Sequence, residues 1–232
     1  MPAMNRAPPP RHRRARGFTL AELAIVLVVI GLLTGGMLGP LASRLEARQR
    51  QETSERLRDI EQALYGFAIL HGRLPCPSTE HDPGSPGYGR ENAPPCDDSV
   101  EGMLPWRTLG LGPVDAWGTP RSSPTAPWPG HWRYRVDRAF AAAGGISAAT
   151  APLSNLQLYD HDNRPITVES ESRAVAIVYS TGNNLRADGL NASYSATHPR
   201  YQAGEATASF DDLLIWIGHP LLIARLAQAG RL

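Results

Sequence analysis

The sequence predicts an α+β protein in which a long N-terminal helix, transmembrane at first and amphipathic later, packs on an antiparallel sheet. Two observations lead to this prediction. One is an apolar run over residues 18–38 that leads into a polar stretch with helical periodicity. The other is a series of short segments in the second half of the chain with the alternation typical of strands. One helix followed by successive strands is typical of α+β domains.

The apolar run is long enough to cross a membrane. Its only charge is Glu22, and about 20 apolar residues in a helix span the hydrocarbon core. Residues 11–16, directly before the run, are rich in arginine. Because such clusters stay on the cytoplasmic side, we predict a single span over residues 18–40, with the N-terminus in the cytoplasm and the C-terminal body in the periplasm.

Glu22 is the unusual residue of this run. A charge deep in a span costs about 2.5–3.5 kcal/mol on insertion scales, so a carboxylate there usually has a partner. Unpaired within its own helix, it would be neutralised by an ammonium group from another chain. The alternative is that Glu22, five residues into the run, simply lies near the headgroups.

Gly17, Phe18 and Glu22, followed by an unbroken apolar run, resemble the processing and assembly signature of type IV pilins and type II secretion pseudopilins. The resemblance implies that a prepilin peptidase cleaves after Gly17 and methylates the new amine of Phe18. It also implies that Glu22 meets the N-terminus of a neighbouring subunit. Pro40 departs from the pattern, because it lies one residue later than expected for the proline near the end of the run.

The resemblance makes residues 1–17 a leader peptide that the mature protein lacks. An ordinary secretory signal is the less favoured explanation, because Gly17 precedes the apolar run and no Ala-x-Ala-like site follows it cleanly. Arg13 and Arg14 give a weak suggestion of a twin-arginine signal. All 23 basic residues are arginines, and five precede Phe18. The mature chain would hold 18 basic and 22 acidic residues, so a nucleic-acid partner is not expected.

Cys76 and Cys96 are the two cysteines, and both fall on the side of the membrane that is predicted to be oxidising. We expect a disulfide that restrains the unfolded chain by roughly 3 kcal/mol. The alternatives are two free buried thiols or a metal site, although no CxxC or histidine cluster accompanies the cysteines.

Beyond the span, residues 41–72 are predicted to continue the helix in amphipathic form. Its apolar stripe has helical spacings of three and four residues, and its members are Leu57, Ile60, Leu64 and Phe67. Gly72 and Pro75 are expected to end the helix. Residues 73–232 then form a periplasmic α+β globular domain.

This domain begins with a proline- and glycine-rich region, residues 73–130, which shows no sustained period. A loop of that length needs to be pinned, and the predicted disulfide would pin it. Trp106 and Trp117 are expected to pack in the core or in a lid rather than to stack on a ligand. Strands are predicted at residues 131–138, around 156–158, and at 165–169, 174–180 and 212–217, with a closing helix at 220–229.

The first and fourth of these strands differ in pattern. In the first, Trp132, Tyr134 and Val136 alternate with Arg133 and Arg135, which predicts one face in contact with water. Residues 174–180 are apolar on both faces, which predicts a central strand.

A second, looser resemblance concerns residues 115–120, 132–136, 180–184, 188–189 and 211–216, whose order is similar to that of major-pseudopilin globular domains. In those domains a loop before an Asp-containing strand can hold calcium. The resemblance makes calcium the one candidate cofactor, and no other cofactor is expected. Its ligands would come from Asp188, Asn191, Asp211 and Asp212, with Asn183 and Asn184 as further donors. The alternative is that these are ordinary turn residues, since the EF-hand spacing is absent.

An enzyme is not expected. The sequence contains no GxSxG, HExxH or P-loop pattern. His161, between Asp160 and Asp162, is the first candidate for a base or metal ligand, but such a cluster at a strand end is more often a solvated turn.

We therefore expect a pilin-like fold and a structural role, as a minor pilin or pseudopilin of a type II secretion or type IV pilus filament. The chain would reside in the bacterial inner membrane and enter the filament or its tip. Its partners would be other pilins or pseudopilins through the N-terminal helix, the prepilin peptidase and the inner-membrane assembly platform. The alternative is a membrane-anchored periplasmic domain that binds a ligand or a secreted substrate through its proline-rich loop and tryptophans.

Overall fold

The computed structural model describes residues 18–96, 101–118, 130–167, 172–193, 195 and 199–232, except for the side chains of residues 34–40. The chain divides into two units, residues 1–45 and 46–232. The elements, in chain order, are α1 (Leu20–His71), β1 (Gly102–Met103), α2 (Trp106–Leu109), β2 (Arg133–Val136), β3 (Gln157–Tyr159), β4 (Ala174–Ser180), α3 (Gly189–Ala192), β5 (Arg200–Gln202), β6 (Leu213–Gly218) and α4 (His219–Gln228).

Helix α1 ends where the sequence predicts. Gly72 follows it in the left-handed region, with a φ of 70°, and its amide donates to the Ala68 carbonyl at 2.8 Å. A glycine takes up this conformation without the penalty that a Cβ would bring, so it is a common residue just beyond a helix. Pro75 lies three residues beyond Gly72.

The main sheet of the second unit is antiparallel, with the strand order β1, β2, β4, β6. Strand β4 is central, and all seven of its residues are buried, as predicted. Tyr134 on β2 lies opposite Val178, and Trp216 on β6 lies opposite Ile177. The fold class predicted from the sequence, an α+β domain with a helix on an antiparallel sheet, is confirmed.

The two faces of this sheet carry two cores. On one face, the apolar stripe of α1 packs with β2, β4, β6 and α4, through residues that include Leu57, Leu64, Tyr134, Val178 and Leu222. The opposite face is covered by a second sheet, in which β3 and β5 pair in parallel. The core on this face contains residues of both sheets, namely Leu156, Leu158, Ala174, Ile177, Tyr179 and Tyr201.

Two predictions about the strands are wrong. Arg135, expected to face water, is only 2% exposed, because the β3–β5 sheet covers that face of β2. The strand predicted at residues 165–169 is reduced to a single bridge between Pro165 and Tyr159. Proline lacks the amide that a continuing ladder needs, and residues 168 and 169 lie outside the described part of the chain.

The loop between α1 and β2 packs through its aromatic residues. Trp106 is buried, as predicted, with its ring centroid 5.0 Å from Tyr88 and 5.0 Å from His131. The Tyr88 hydroxyl and His131 Nε2 are hydrogen-bonded at 2.8 Å. Trp117 is half-buried. These rings therefore belong to the packing of the loop against the sheet.

Candidate functional site

Thr19 and Glu22 form a reciprocal pair at the start of α1. The Thr19 amide and hydroxyl both donate to Glu22 Oε2 at 2.9 Å, and the Glu22 amide donates to Thr19 Oγ1 at 3.2 Å. This is a capping box, in which a threonine and a glutamate three residues later satisfy N–H groups that the helix leaves without carbonyl partners. The first turn of α1 is therefore fixed by its own side chains.

The pair corrects the expectation that Glu22 has no partner in its own helix. The capping role of Thr19, which belongs to the same N-terminal signature, was not predicted, although the Thr-x-x-Glu spacing carries the signal. Within the described residues, Glu22 Oε1 takes part in no hydrogen bond. An ionised carboxylate accepts bonds at both oxygens, so Glu22 keeps one oxygen for a donor from outside the helix.

The helix surface beyond this pair is apolar in every direction. Between Phe18 and Leu33, eleven large apolar side chains are between 47% and 88% exposed. They include the six consecutive residues 25–30, which at 100° per residue point to all sides of a helix. Apolar area in water costs about 25 cal/mol per Å². This surface is therefore suited to an apolar environment rather than to water.

The structure covers only part of the predicted cleavage site and only part of the predicted span. Gly17 lies outside the described residues, whereas Phe18 is described and is 82% exposed. Within the part of the chain that the structure covers, no helix has a stretch both long enough and apolar enough to pass through a membrane. The span over residues 18–40 remains a prediction.

A second candidate site is a group of carboxylates near the start of β6. Asp188, Asp211 and Asp212 each place an oxygen within 4.8 Å of the other two. Gly182, in the loop after β4, has a φ of 60°, and a Cβ there would lie 2.6 Å from atoms of Asp211. Only glycine fits this close approach without strain.

Backbone amides hold these carboxylates in place. The Asn184 amide donates to Asp211 Oδ2, the Asp188 amide to Asp212 Oδ2 and the Asp211 amide to Asp188 Oδ2, each at 3.0 Å. Two further oxygens, Asp211 Oδ1 and Asp212 Oδ1, are buried and have no hydrogen-bond partner within the described residues. Buried polar atoms of this kind are uncommon, and a bound ion is one of the standard explanations for them.

The electrostatics of the group favour a cation. Burial, with a smaller contribution from the charges of Asp188 and Asp211, raises the pKa of Asp212 to about 7. Burial also raises the pKa of Asp211. A cation between the three carboxylates would offset both causes, because an opposite charge favours the ionised form.

The donor set fits calcium in part. Calcium takes six to eight oxygens at 2.3–2.6 Å, so three carboxylates this close would supply a fraction of one shell. Asn191, the fourth predicted ligand, is engaged elsewhere. Its Nδ2 donates to Asp212 Oδ2 at 2.8 Å, and its Oδ1 accepts from the Gln202 amide at 2.8 Å. In this geometry Asn191 positions Asp212.

The predicted disulfide is present. Cys76 and Cys96 are bonded, with Cα atoms 5.4 Å apart. Arg73 adds a two-pronged ion pair to Glu91, at 2.8 and 3.0 Å, and Glu91 also accepts from the Cys76 amide at 3.2 Å. The bridge and the ion pair together hold the first part of the loop against the end of α1.

His161 does not form a catalytic arrangement. Its Nε2 lies 2.6 Å from the Glu205 carbonyl oxygen, and its Nδ1 lies 2.9 Å from Gln202 Nε2. Its ring stands edge-on to Phe210, with centroids 4.9 Å apart. His161 therefore ties two loops together.

Comparison with protein-family models matches residues 12–38 to the prokaryotic N-terminal methylation motif. This motif is the signature of type IV pilins and pseudopilins, so the resemblance drawn from the sequence is confirmed for these residues. The match contains Gly17, Phe18 and Glu22. No curated protein and no solved structure matches the chain.

Proposed function

Because residues 12–38 carry the prokaryotic N-terminal methylation motif of type IV pilins and pseudopilins, we propose that this chain is a minor pilin or pseudopilin. It is made with the leader 1–17, cleaved and N-methylated by a prepilin peptidase, and held in the inner membrane by residues 18–40. It then joins a type II secretion or type IV pilus filament, with its second unit on the periplasmic side. The methylation motif is the single observation that carries this proposal.

The apolar surface of the first helical turns supports assembly by helix packing. In the membrane, lipid covers the exposed side chains between Phe18 and Leu33. In the filament, the equivalent helices of neighbouring subunits cover them, so the helix leaves the lipid without exposing its apolar area to water. The sequence has no nucleotide-binding motif, and the work of extraction comes from a separate cytoplasmic ATPase.

Glu22 sets the axial register of this packing. Its Oε2 is occupied by Thr19, while its Oε1 remains for the methylated ammonium of Phe18 of a neighbouring subunit. A matched register pairs the two charges in an apolar surrounding. A mismatched register leaves both desolvated, which is strongly unfavourable.

The test separates the charge of Glu22 from its role in the capping box. Glu22→Gln keeps a side chain that fits a capping box but removes the charge, and Glu22→Ala removes both. Both variants are expected to be cleaved and inserted normally but to co-sediment poorly with filaments. Glu46→Ala, an exposed glutamate further along the same helix, is the matched control.

Incorporation of Glu22→Gln at the wild-type level would rule out charge pairing and leave only the cap. Thr19→Ser, which keeps the hydroxyl, should behave as wild type. Thr19→Val removes the hydroxyl but keeps the charge of Glu22, so its incorporation into filaments measures the effect of losing the capping box alone.

The orphaned oxygens of the carboxylate group favour a second function. We propose that Asp188, Asp211 and Asp212 hold a calcium ion that orders the loop between β4 and β6. The ion would supply positive charge to three carboxylates that otherwise repel one another. The Asp212→Asn variant should lose a calcium-dependent rise in melting temperature that the wild type shows, while the exposed Asp162→Asn control retains it. No rise in the wild type at millimolar calcium would exclude the site.

A further inference from the structure

Strand β6 ends the four-stranded sheet and leaves one of its sides open. Strand β4 pairs with the inner side of β6 along the whole of Leu213–Gly218. Among the described residues, no backbone group is hydrogen-bonded to its outer side. Natural edge strands usually carry a charge or a proline that discourages further pairing. The sequence of β6, LLIWIG, has neither.

A groove of about 390 Å³ lies along the first half of this open side. One wall is α1, which covers the first face of the sheet, and the other wall is residues 204–206, which follow β5 on the opposite face. The groove also touches the consecutive β6 residues 213–215. A cavity that reaches both layers and consecutive strand residues lies at the edge of the sheet, where an added strand would lie.

The walls of the groove differ in charge. Arg50 and Arg58 line the α1 wall, and Glu205 lines the other. Arg50 approaches Glu46 at 3.6 Å, whereas the exposed Arg58 makes no ion pair or hydrogen bond within the described residues. Asp212 also lines the groove, but its Oδ2 is hydrogen-bonded to Asp188 and Asn191.

The spacing of the two arginines matches a β-strand. Eight residues of helix separate Arg50 from Arg58, which is about 12 Å of rise. Two side chains four residues apart on one face of a strand are about 13 Å apart. An extended segment that runs parallel to this part of α1, with acidic residues at positions i and i+4, therefore has the same axial spacing as the two arginines.

We propose that the open edge of β6 binds an extended acidic strand of another protein by β-strand addition. The backbone of that strand pairs with β6, its acidic side chains face Arg50 and Arg58, and its intervening neutral side chains face Glu205. A second copy of β6 would not meet this requirement, because LLIWIG brings no acid to the arginines. The site does not depend on the filament role.

The test uses the full-length mature chain in detergent and a fluorescent eight-residue peptide of alternating glutamate and threonine. Anisotropy should show that it binds at least about tenfold more tightly than the same peptide with lysine in place of glutamate, a difference of about 1.4 kcal/mol. A version with N-methylated backbone amides should bind equally poorly. Hydrogen exchange should slow at those β6 amides that point away from β4 when the glutamate peptide is added.

A charge reversal in the chain provides the matched variant. Arg50→Glu combined with Arg58→Glu should weaken binding of the glutamate peptide by about tenfold or more and improve binding of the lysine peptide. Arg48→Glu changes an exposed arginine on the same helix that does not line the groove, and it should leave binding unchanged.

Three results would overturn the proposal. Equal binding of the N-methylated peptide would mean that the backbone of β6 does not take part. Equal loss in the Arg48→Glu variant would mean that only overall charge matters. Self-association in which the β6 amides that point away from β4 are already protected from exchange would make a second copy the occupant.

Discussion

At the level of single residues, Gly182 has a left-handed backbone conformation that brings its Cα close to Asp211 of the carboxylate group. Its φ of 60° and the 2.6 Å approach that a Cβ would make to Asp211 predict that Gly182→Ala lowers the free energy of unfolding by about 1–3 kcal/mol. Gly112→Ala is the control, because a Cβ there would meet nothing within 4 Å, and it should change stability by less than about 0.5 kcal/mol. Denaturant unfolding of both variants measures the difference. If both variants lost a similar amount of unfolding free energy, the close approach of Gly182 to Asp211 would not be what requires glycine there.

Glu101 links the two sheets. The Tyr179 hydroxyl donates to its Oε1 at 2.8 Å, and the Tyr201 hydroxyl donates to its Oε2 at 2.7 Å. Burial raises the pKa of Glu101 above its usual value of 4.5, and this effect outweighs the hydrogen bonds and the positive charges of Arg133 and Arg135, which lower it. The folded protein therefore holds this proton more tightly than the unfolded chain does.

This shift predicts a pH dependence of stability. The contribution of Glu101 is fully present below pH 4.5 and is lost as the pH rises through the higher pKa of the folded state. Glu101→Gln cannot titrate, so the difference in free energy of unfolding between wild type and variant should change over that window and be constant above it. Urea unfolding at a series of pH values measures this, with Glu55→Gln on α1 as the control. A constant difference across the window would contradict the raised pKa.

At the level of elements, the loop between α1 and β2 depends on the Cys76–Cys96 bridge. Replacing both cysteines by serine should lower the free energy of unfolding by roughly 3 kcal/mol, since the unfolded chain then regains the freedom that a closed loop of this length removes. Reduction of the wild type should have the same effect. A variant as stable as the oxidised wild type would mean that the packing of Trp106 and Tyr88 holds the loop without the bridge.

The elements that the sequence predicted are those with a clear period or a long apolar run. α1, β4, β6 and α4 meet this condition, and the structure contains each of them. β1, α2, α3 and β5 contain only two to four residues each. Such short elements cannot establish a period, so they were not predicted. The buried Arg135 was mispredicted because alternation does not reveal whether a second layer covers the polar face.

At the level of the whole molecule, the two candidate sites differ in how far the sequence could reveal them. The N-terminal signature is local, so Gly17, Phe18 and Glu22 were identified from adjacent residues. The carboxylates of Asp188 and Asp211 meet only because the loop after β4 folds back on the start of β6. The groove at β6 was not predicted at all, because it requires knowledge of which strand lies at the edge of the sheet.

At the level of the whole molecule, the proposed assembly requires removal of the leader, and the mass of the mature N-terminus tests this most directly. The chain should be purified from membranes of cells with an active prepilin peptidase and analysed by mass spectrometry, with cells lacking the peptidase as the control. We predict a chain that begins at Phe18 and carries one methyl group on its amine, and an uncleaved chain in the control. A chain that still begins with the arginine-rich leader in the presence of the peptidase would contradict the account.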